Sequence, residues 1–315
     1  MDRDRQVVGL LYTVLSLALT PMYIKIIHIL LWNSEFRKLP CYQIMAQIGL
    51  IDCIFVLGYA IFGLTLMFKS DFYGLTFVVV QLVEAVWMTK VSLNFVLAVN
   101  RLTVTCRINM PTWLHWVQIA YCWLLGLFYL AICLTPYTGI RIDYDFFGWG
   151  YDFAQPFTAT MQIVDIIYAT VAMGSCLVMY LLAAFLLFQK RRRYTTNNSN
   201  LKAEMRICVM AVVLFSSPML GDVLWNFAFD FLPQTYWTNT VISIISICNI
   251  ALCAPTVYLV MSSSLRRTFF NSGLWGFKTT KVSHTNLTPM RVSAASLARL
   301  TKKPYRRALS AAPRI

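Results

Sequence analysis

Six ionisable side chains, Lys25, Asp52, Glu84, Lys90, Asp165 and Asp222, stand inside long apolar stretches of this chain. At membrane depth an unpaired charge costs at least ~2.5 kcal/mol, so each is a candidate for ion pairing or ligand recognition. Glu84 is followed by Trp87 and Met88, and Asp222 by Trp225 and Asn226. If these residues line one cavity with Asp165, aromatic walls and two or three carboxylates would suit a small cationic or hydrogen-bond-donating ligand. The alternative is internal: the carboxylates pair with Lys25, Lys90 or helix hydroxyls and touch no ligand. Catalysis finds no support. His28, His115 and His284 are scattered, and no Ser/His/Asp set, HExxH run or phosphate loop occurs. The nine cysteines form no CxxC pair or Cys/His cluster with zinc spacing. They read as buried small apolar residues, and none falls in an expected outer loop, so no disulfide is expected to staple that face. Neither a metal nor a cofactor is expected.

Helices must position these groups. Apolar stretches run over 7–32, 41–67, 73–100, 114–136, 158–188, 204–229 and 237–261. Each exceeds the ~20 residues that cross ~30 Å of hydrocarbon. The apolar residues run continuously instead of alternating, which argues against strands. The reading is an all-α membrane protein, a seven-transmembrane-helix bundle over 1–270, followed by a basic tail at 271–315 of disordered composition. Composition agrees, with 58% apolar and 13% charged residues. Placing the N-terminus outside and the C-terminus inside puts 21 Lys and Arg in inner segments and four, Arg3, Arg5, Lys69 and Arg141, outside. The net charge of +14 therefore faces anionic inner-leaflet lipid, which disfavours nucleic acid as a partner. No cleavable signal is evident, and the first span serves as its own signal.

The basic inner loop at 189–203 contrasts with the outer loop near 137–157. That outer loop carries Asp143, Asp145 and Asp152 among Tyr144, Phe146, Phe147, Trp149 and Tyr151. It reads equally as a lid over the bundle mouth or as an interfacial aromatic belt. After the seventh span, Leu265, Phe269 and Phe270 are expected to share one face of a short amphipathic helix on the inner leaflet. No repeat relates the halves of the chain, which weighs against a transporter or channel, the alternative function.

The landmarks Leu50-Ile51-Asp52, Asn100-Arg101, Pro218 and Pro255-x-x-Tyr258 resemble the rhodopsin-like G-protein-coupled receptor plan over roughly 7–270. Five runs bring the likeness closer: Pro40-Cys41-Tyr42-Gln43-Ile44-Met45, Ile48-Gly49-Leu50-Ile51-Asp52, Leu97-Ala98-Val99-Asn100-Arg101, Leu201-Lys202-Ala203-Glu204 and Pro255-Thr256-Val257-Tyr258-Leu259. They are similar to nematode serpentine chemoreceptors, most of all class T, with class X as near neighbour. The resemblance implies a chemosensory receptor in the plasma membrane, at a sensory-neuron cilium, binding a small molecule and coupling to a heterotrimeric G protein. An opsin would need a lysine in the seventh span, and 237–261 has none.

The resemblance also implies roles for particular residues. Glu84, Trp87, Met88, Asp165, Asp222, Trp225 and Asn226 lie at ligand-pocket depth. Asn100, Arg101, Tyr258, Arg191, Arg192, Arg193 and Lys202 face the G protein, and Pro218 and Pro255 are hinges that let the sixth span swing outward. Lys90 lies eleven residues before Arg101, ~16 Å deeper. There relatives place a small polar residue that forms a sodium site with the second-span Asp. An ammonium would occupy that place and pair with Asp52, with Asn94 or Asn249 completing the hydrogen bonds; Glu84 is the other candidate partner. The chain departs from the plan in several places. Asn100 replaces the carboxylate before the arginine, Asn198 replaces an acidic lock, Ala254 replaces an asparagine, and Asp71-Phe72-Tyr73-Gly74 lacks the cysteine opening the third span.

Overall fold

A computed structural model describes residues 2–193 and 231–271, and between them 209, 212–213, 215–216 and 219–227. In chain order it contains α1 (Asp2–Trp32), the short α2 (Ser34–Arg37), α3 (Pro40–Phe68), α4 (Leu75–Cys106) and α5 (Thr112–Cys133). A hairpin of β1 (Ile140–Asp143) and β2 (Gly148–Tyr151) precedes α6 (Thr158–Arg193). After the helical residues 219–227 come α7 (Tyr236–Cys248), a π-helical turn (Asn249–Cys253), α8 (Ala254–Met261) and α9 (Ser263–Asn271). Among the described residues six helical stretches are long and apolar enough to cross a membrane, the last running through α7, the π turn and α8. Pro218, Lys202, Glu204, Asn198 and the tail beyond 271 lie outside the described residues.

The helices overrun the apolar stretches because a hydrogen-bond ladder does not stop where charge begins. Helix α1 starts at Asp2, and α4 continues past Arg101 to Cys106. Arg107 then stops α4 by turning left-handed, at φ 57°, and donating its N–H to the Thr103 and Val104 carbonyls. In the seventh span the ladder slips to π geometry just before Pro255, whose missing N–H leaves a carbonyl of the preceding turn without its usual partner.

The bundle is apolar on its outside as well as its inside. Leu124, Leu127 and Phe128 on α5, and Ile163, Ile167 and Val171 on α6, are exposed, which suits lipid and not water. Between helices, small residues allow close approach. A Cβ on Gly63 of α3 would meet the Gly9 carbonyl and the Thr13 hydroxyl of α1, each at 2.5 Å. Thr13 Oγ1 bridges the same contact, donating to the Gly9 carbonyl at 2.9 Å and to the Ala60 carbonyl at 3.2 Å. On the next interface Gly126 of α5 sits against Thr89 of α4.

The loop at 137–157, read from the sequence as a lid or an interfacial aromatic belt, contains the only strands among the described residues. They form an antiparallel hairpin pairing Ile140 with Tyr151 and Ile142 with Trp149. Asp143 Oδ1 accepts the Asp145 and Phe146 amides at the turn, at 2.9 and 3.1 Å. Two side-chain amides fasten the hairpin to the bundle. Gln81 Nε2 of α4 donates to the Ile140 carbonyl at 3.1 Å, and Asn239 Nδ2 of α7 to the Phe146 carbonyl at 2.8 Å. At the opposite end, Leu265 of α9 is buried and Phe269 lies half-buried beneath Lys25 Nζ, 4.3 Å from its ring centre. Phe270 does not share that face: on a helix it lies ~140° from Leu265, and it is exposed.

Gly63→Val is expected to force α1 off α3, at about 1–3 kcal/mol for an overpacked contact. The melting temperature in detergent should fall, whereas Gly174→Ala, in open space on α6, should leave it unchanged or slightly raised. Equal melting of both variants would show that the glycine contact does not hold the two helices.

Candidate functional site

The polar centre of the bundle is built from three helices. Lys90 Nζ of α4 lies 2.5 Å from Asp52 Oδ1 of α3, with both side chains almost wholly buried. The second carboxylate oxygen accepts the Tyr23 hydroxyl of α1 at 2.6 Å. The sequence pointed to Asn94 or Asn249 as a further partner; Asn249 lines the cavity toward the hairpin end, and Asn94 Nδ2 turns back on its own helix and donates to the Lys90 carbonyl at 3.0 Å. Side-chain amides in helices readily make this local bond, so polarity alone did not locate the third member.

Toward the hairpin end lies a cavity of about 50 Å³. Its walls come from Phe55, Tyr59, Glu84, Trp87, Asp222 and Trp225, with Gly221, Ser246, Asn249 and Ile250, and Trp149 of the hairpin closes it. Of the expected pocket residues, Glu84, Trp87, Asp222 and Trp225 line this cavity together. Three others do not. Met88 faces the core against neighbouring helices. Asn226 is spent on Asp222, donating to its Oδ1 at 3.2 Å and to its carbonyl at 3.0 Å. Asp165 lies apart, its Oδ2 accepting the Tyr129 hydroxyl and, at 3.0 Å, the Tyr151 hydroxyl.

The carboxylates are thus met mostly by neutral donors. Glu84 Oε1 accepts the Trp149 indole N–H at 2.9 Å. Burial, followed by the negative charges of Glu84 and Asp165, holds the Tyr151 phenol far above its ordinary pKa, so it stays a proton donor. The ring of Trp149 lies 4.7 Å from Tyr59, 4.9 Å from Phe62 and 5.8 Å from Trp225, centre to centre. Phe147 is almost fully buried, and Trp149 is buried too. Of the two readings left open for this loop, the hairpin adopts the lid. A signal for its inward face was present: Phe147, Trp149 and Tyr151 alternate with Gly148 and Gly150, a strand period of two.

Trp87 joins the two polar regions. It lines the cavity, and its ring centre lies 5.8 Å from Lys90 Nζ. Further along, Tyr258 of α8 is buried where the charges of both Asp52 and Arg101 act on it. Asn100 and Arg101 are half-buried on the last turns of α4, and Pro255 follows the π turn directly. Arg191, Arg192 and Arg193 lie on the final turn of α6, where only the backbone is described. Among the described residues all eight cysteines are free, and no cluster of His, Cys, Asp and Glu could hold a metal.

Comparison with known proteins gives a family and a fold. The family model described as "Serpentine type 7TM GPCR chemoreceptor Srt" matches residues 1–283. Among curated protein sequences none matches significantly. Among solved structures the chain is similar to the crystal structure of squid rhodopsin, with a TM-score of 0.71 and 13% identity, over 85% of this chain and 80% of that one. At that identity the likeness speaks for the fold alone.

A buried ion pair costs most when half of it is removed. Asp52→Leu alone, which strands the Lys90 ammonium, is expected to destabilise by about 3–5 kcal/mol. Adding Lys90→Met should restore the melting temperature in detergent close to that of the parent. Additive losses in the double variant would show that the two side chains do not depend on one another.

Proposed function

The chain belongs to the serpentine type seven-transmembrane G-protein-coupled chemoreceptor family Srt, and from that premise we infer that it detects a small molecule in the cavity beneath the hairpin. As a member it is a multi-pass plasma-membrane receptor and not an enzyme. The hairpin end faces outward in this reading, consistent with the distribution of Lys and Arg along the chain. The observation that carries the proposal is the convergence of Glu84, Asp222, Trp87, Trp149 and Trp225 on one cavity. No Lys or Arg lines that space among the described residues, which favours a small cationic or hydrogen-bond-donating ligand.

A cavity of about 50 Å³ holds water and no organic ligand, so binding requires side chains to move. A ligand with higher affinity for the opened arrangement shifts the population toward it. The shift passes from the cavity through Trp87 to the Asp52–Lys90–Tyr23 centre, and on to Tyr258 and Arg101. The sixth span then moves outward about Pro218, and a G-protein α-subunit helix enters beside Arg101, Tyr258 and the basic residues Arg191, Arg192, Arg193 and Lys202. The π turn and Pro255 supply a second compliant point on the seventh span. By linkage, the G protein raises agonist affinity by the same factor.

The test compares G-protein activation by the expressed receptor with that of Arg101→Ala at matched surface level, across a panel of small soluble odorants and without ligand. Ligand-dependent activation that disappears in the variant is expected. Activation that survives Arg101→Ala would overturn the coupling site. Glu84→Gln and Asp222→Asn are expected to shift the agonist response to the right by about tenfold or more, the loss of a charge-assisted contact, without reducing surface expression. An unchanged response would remove that carboxylate from the pocket.

A further inference from the structure

The cavity is small because something already fills the space beside it. The Trp149 indole descends from β2 into a box of aromatic rings, Tyr59, Phe62 and Trp225, and donates its only polar hydrogen to Glu84 at 2.9 Å. The donor is neutral and lies on a surface hairpin, whereas the acceptor is a carboxylate on the central helix α4. The remaining void touches this same side chain and the same carboxylate. The backbone that carries the indole is held by two amide hydrogen bonds, from Gln81 and Asn239, and among the described residues by no covalent link.

We propose that Trp149 is a built-in occupant of the ligand site, and that the external ligand is a planar bicyclic aromatic with a ring N–H that replaces it against Glu84. This deepens the functional reading above and rests on it for the word ligand, though the exchange itself is a matter of binding. Size and chemistry both point to this class. Lifting Trp149 out vacates a slot the volume of an indole, with aromatic walls and the Glu84 carboxylate that received its N–H, and joins it to the existing void, which Asp222 also lines. A ligand matching that slot regains the stacking and the N–H bond, so the two occupants exclude one another. The seated tryptophan then favours the closed hairpin, and the ligand the open one.

The test uses the purified full-length protein, with indole and 1-methylindole as probes and the melting temperature as readout. Trp149→Ala is expected to melt lower than the parent and to regain several degrees with indole, while the parent gains nothing at the same concentration. 1-Methylindole, which lacks the donor, should require about tenfold or more concentration for the same shift. Trp149→Phe keeps a ring in the box without the donor and serves if the alanine variant does not fold. It should accept indole more readily than the parent. Equal response of parent and variants to indole, or equal potency of the two probes, would overturn the proposal and leave Trp149 as a packing residue. Because melting needs no G protein, a receptor that fails to signal would refute the functional reading while leaving this result intact.

Discussion

A carboxylate or ammonium inside hydrocarbon survives only where the protein itself supplies its partner, and the bundle is organised around meeting that demand at one point. Asp52, Lys90 and Tyr23 come from α3, α4 and α1, so satisfying one buried charge fixes three helices relative to one another. Gly49 of α3, where a Cβ would meet the Tyr23 ring at 3.1 Å, lets α1 pack close enough for Tyr23 to reach Asp52, and the central position of α4 places Lys90 where it reaches the same carboxylate. The desolvation penalty of such a pair offsets most of its attraction. Its effect is on specificity: any other packing of these helices strands a charge.

The same demand explains the hairpin end. Glu84 and Asp165 are each met by neutral donors that include a hairpin side chain, Trp149 and Tyr151 respectively. The outer segment therefore belongs to the electrostatics of the bundle. Seating it brings two neutral donors to two acidic side chains, and unseating it exposes both acids to whatever arrives. In the proposed reading, lid and recognition site are one structure.

How far the sequence reached follows from the range over which each contact acts. The six spans described and the Asp52–Lys90 contact were legible because hydropathy and depth along a helix are local quantities. The Tyr23 contact was not, since a tyrosine in an apolar helix carries no mark of its partner 29 residues away. Asn94 misled because its polarity is satisfied by its own helix. The bond between Trp149 and Glu84, 65 residues apart, depends on a hairpin that contacts distant in sequence, among them those of Gln81 and Asn239, fasten to the bundle. Its trace in the sequence, aromatics alternating with glycines, was masked by the expectation that every ordered element would be helical.

The proposed lid carries no cysteine. A lid fastened by hydrogen bonds and ring contacts opens by local unfolding, at a free energy below that of the whole fold. Apparent affinity is then the intrinsic affinity scaled by the fraction of time the lid stands open. Substitutions at Gln81 or Asn239, which touch no ligand, would thus tune the threshold concentration across a wide range. A family of such receptors could spread its sensitivities by varying two anchoring amides while keeping the recognition surface unchanged.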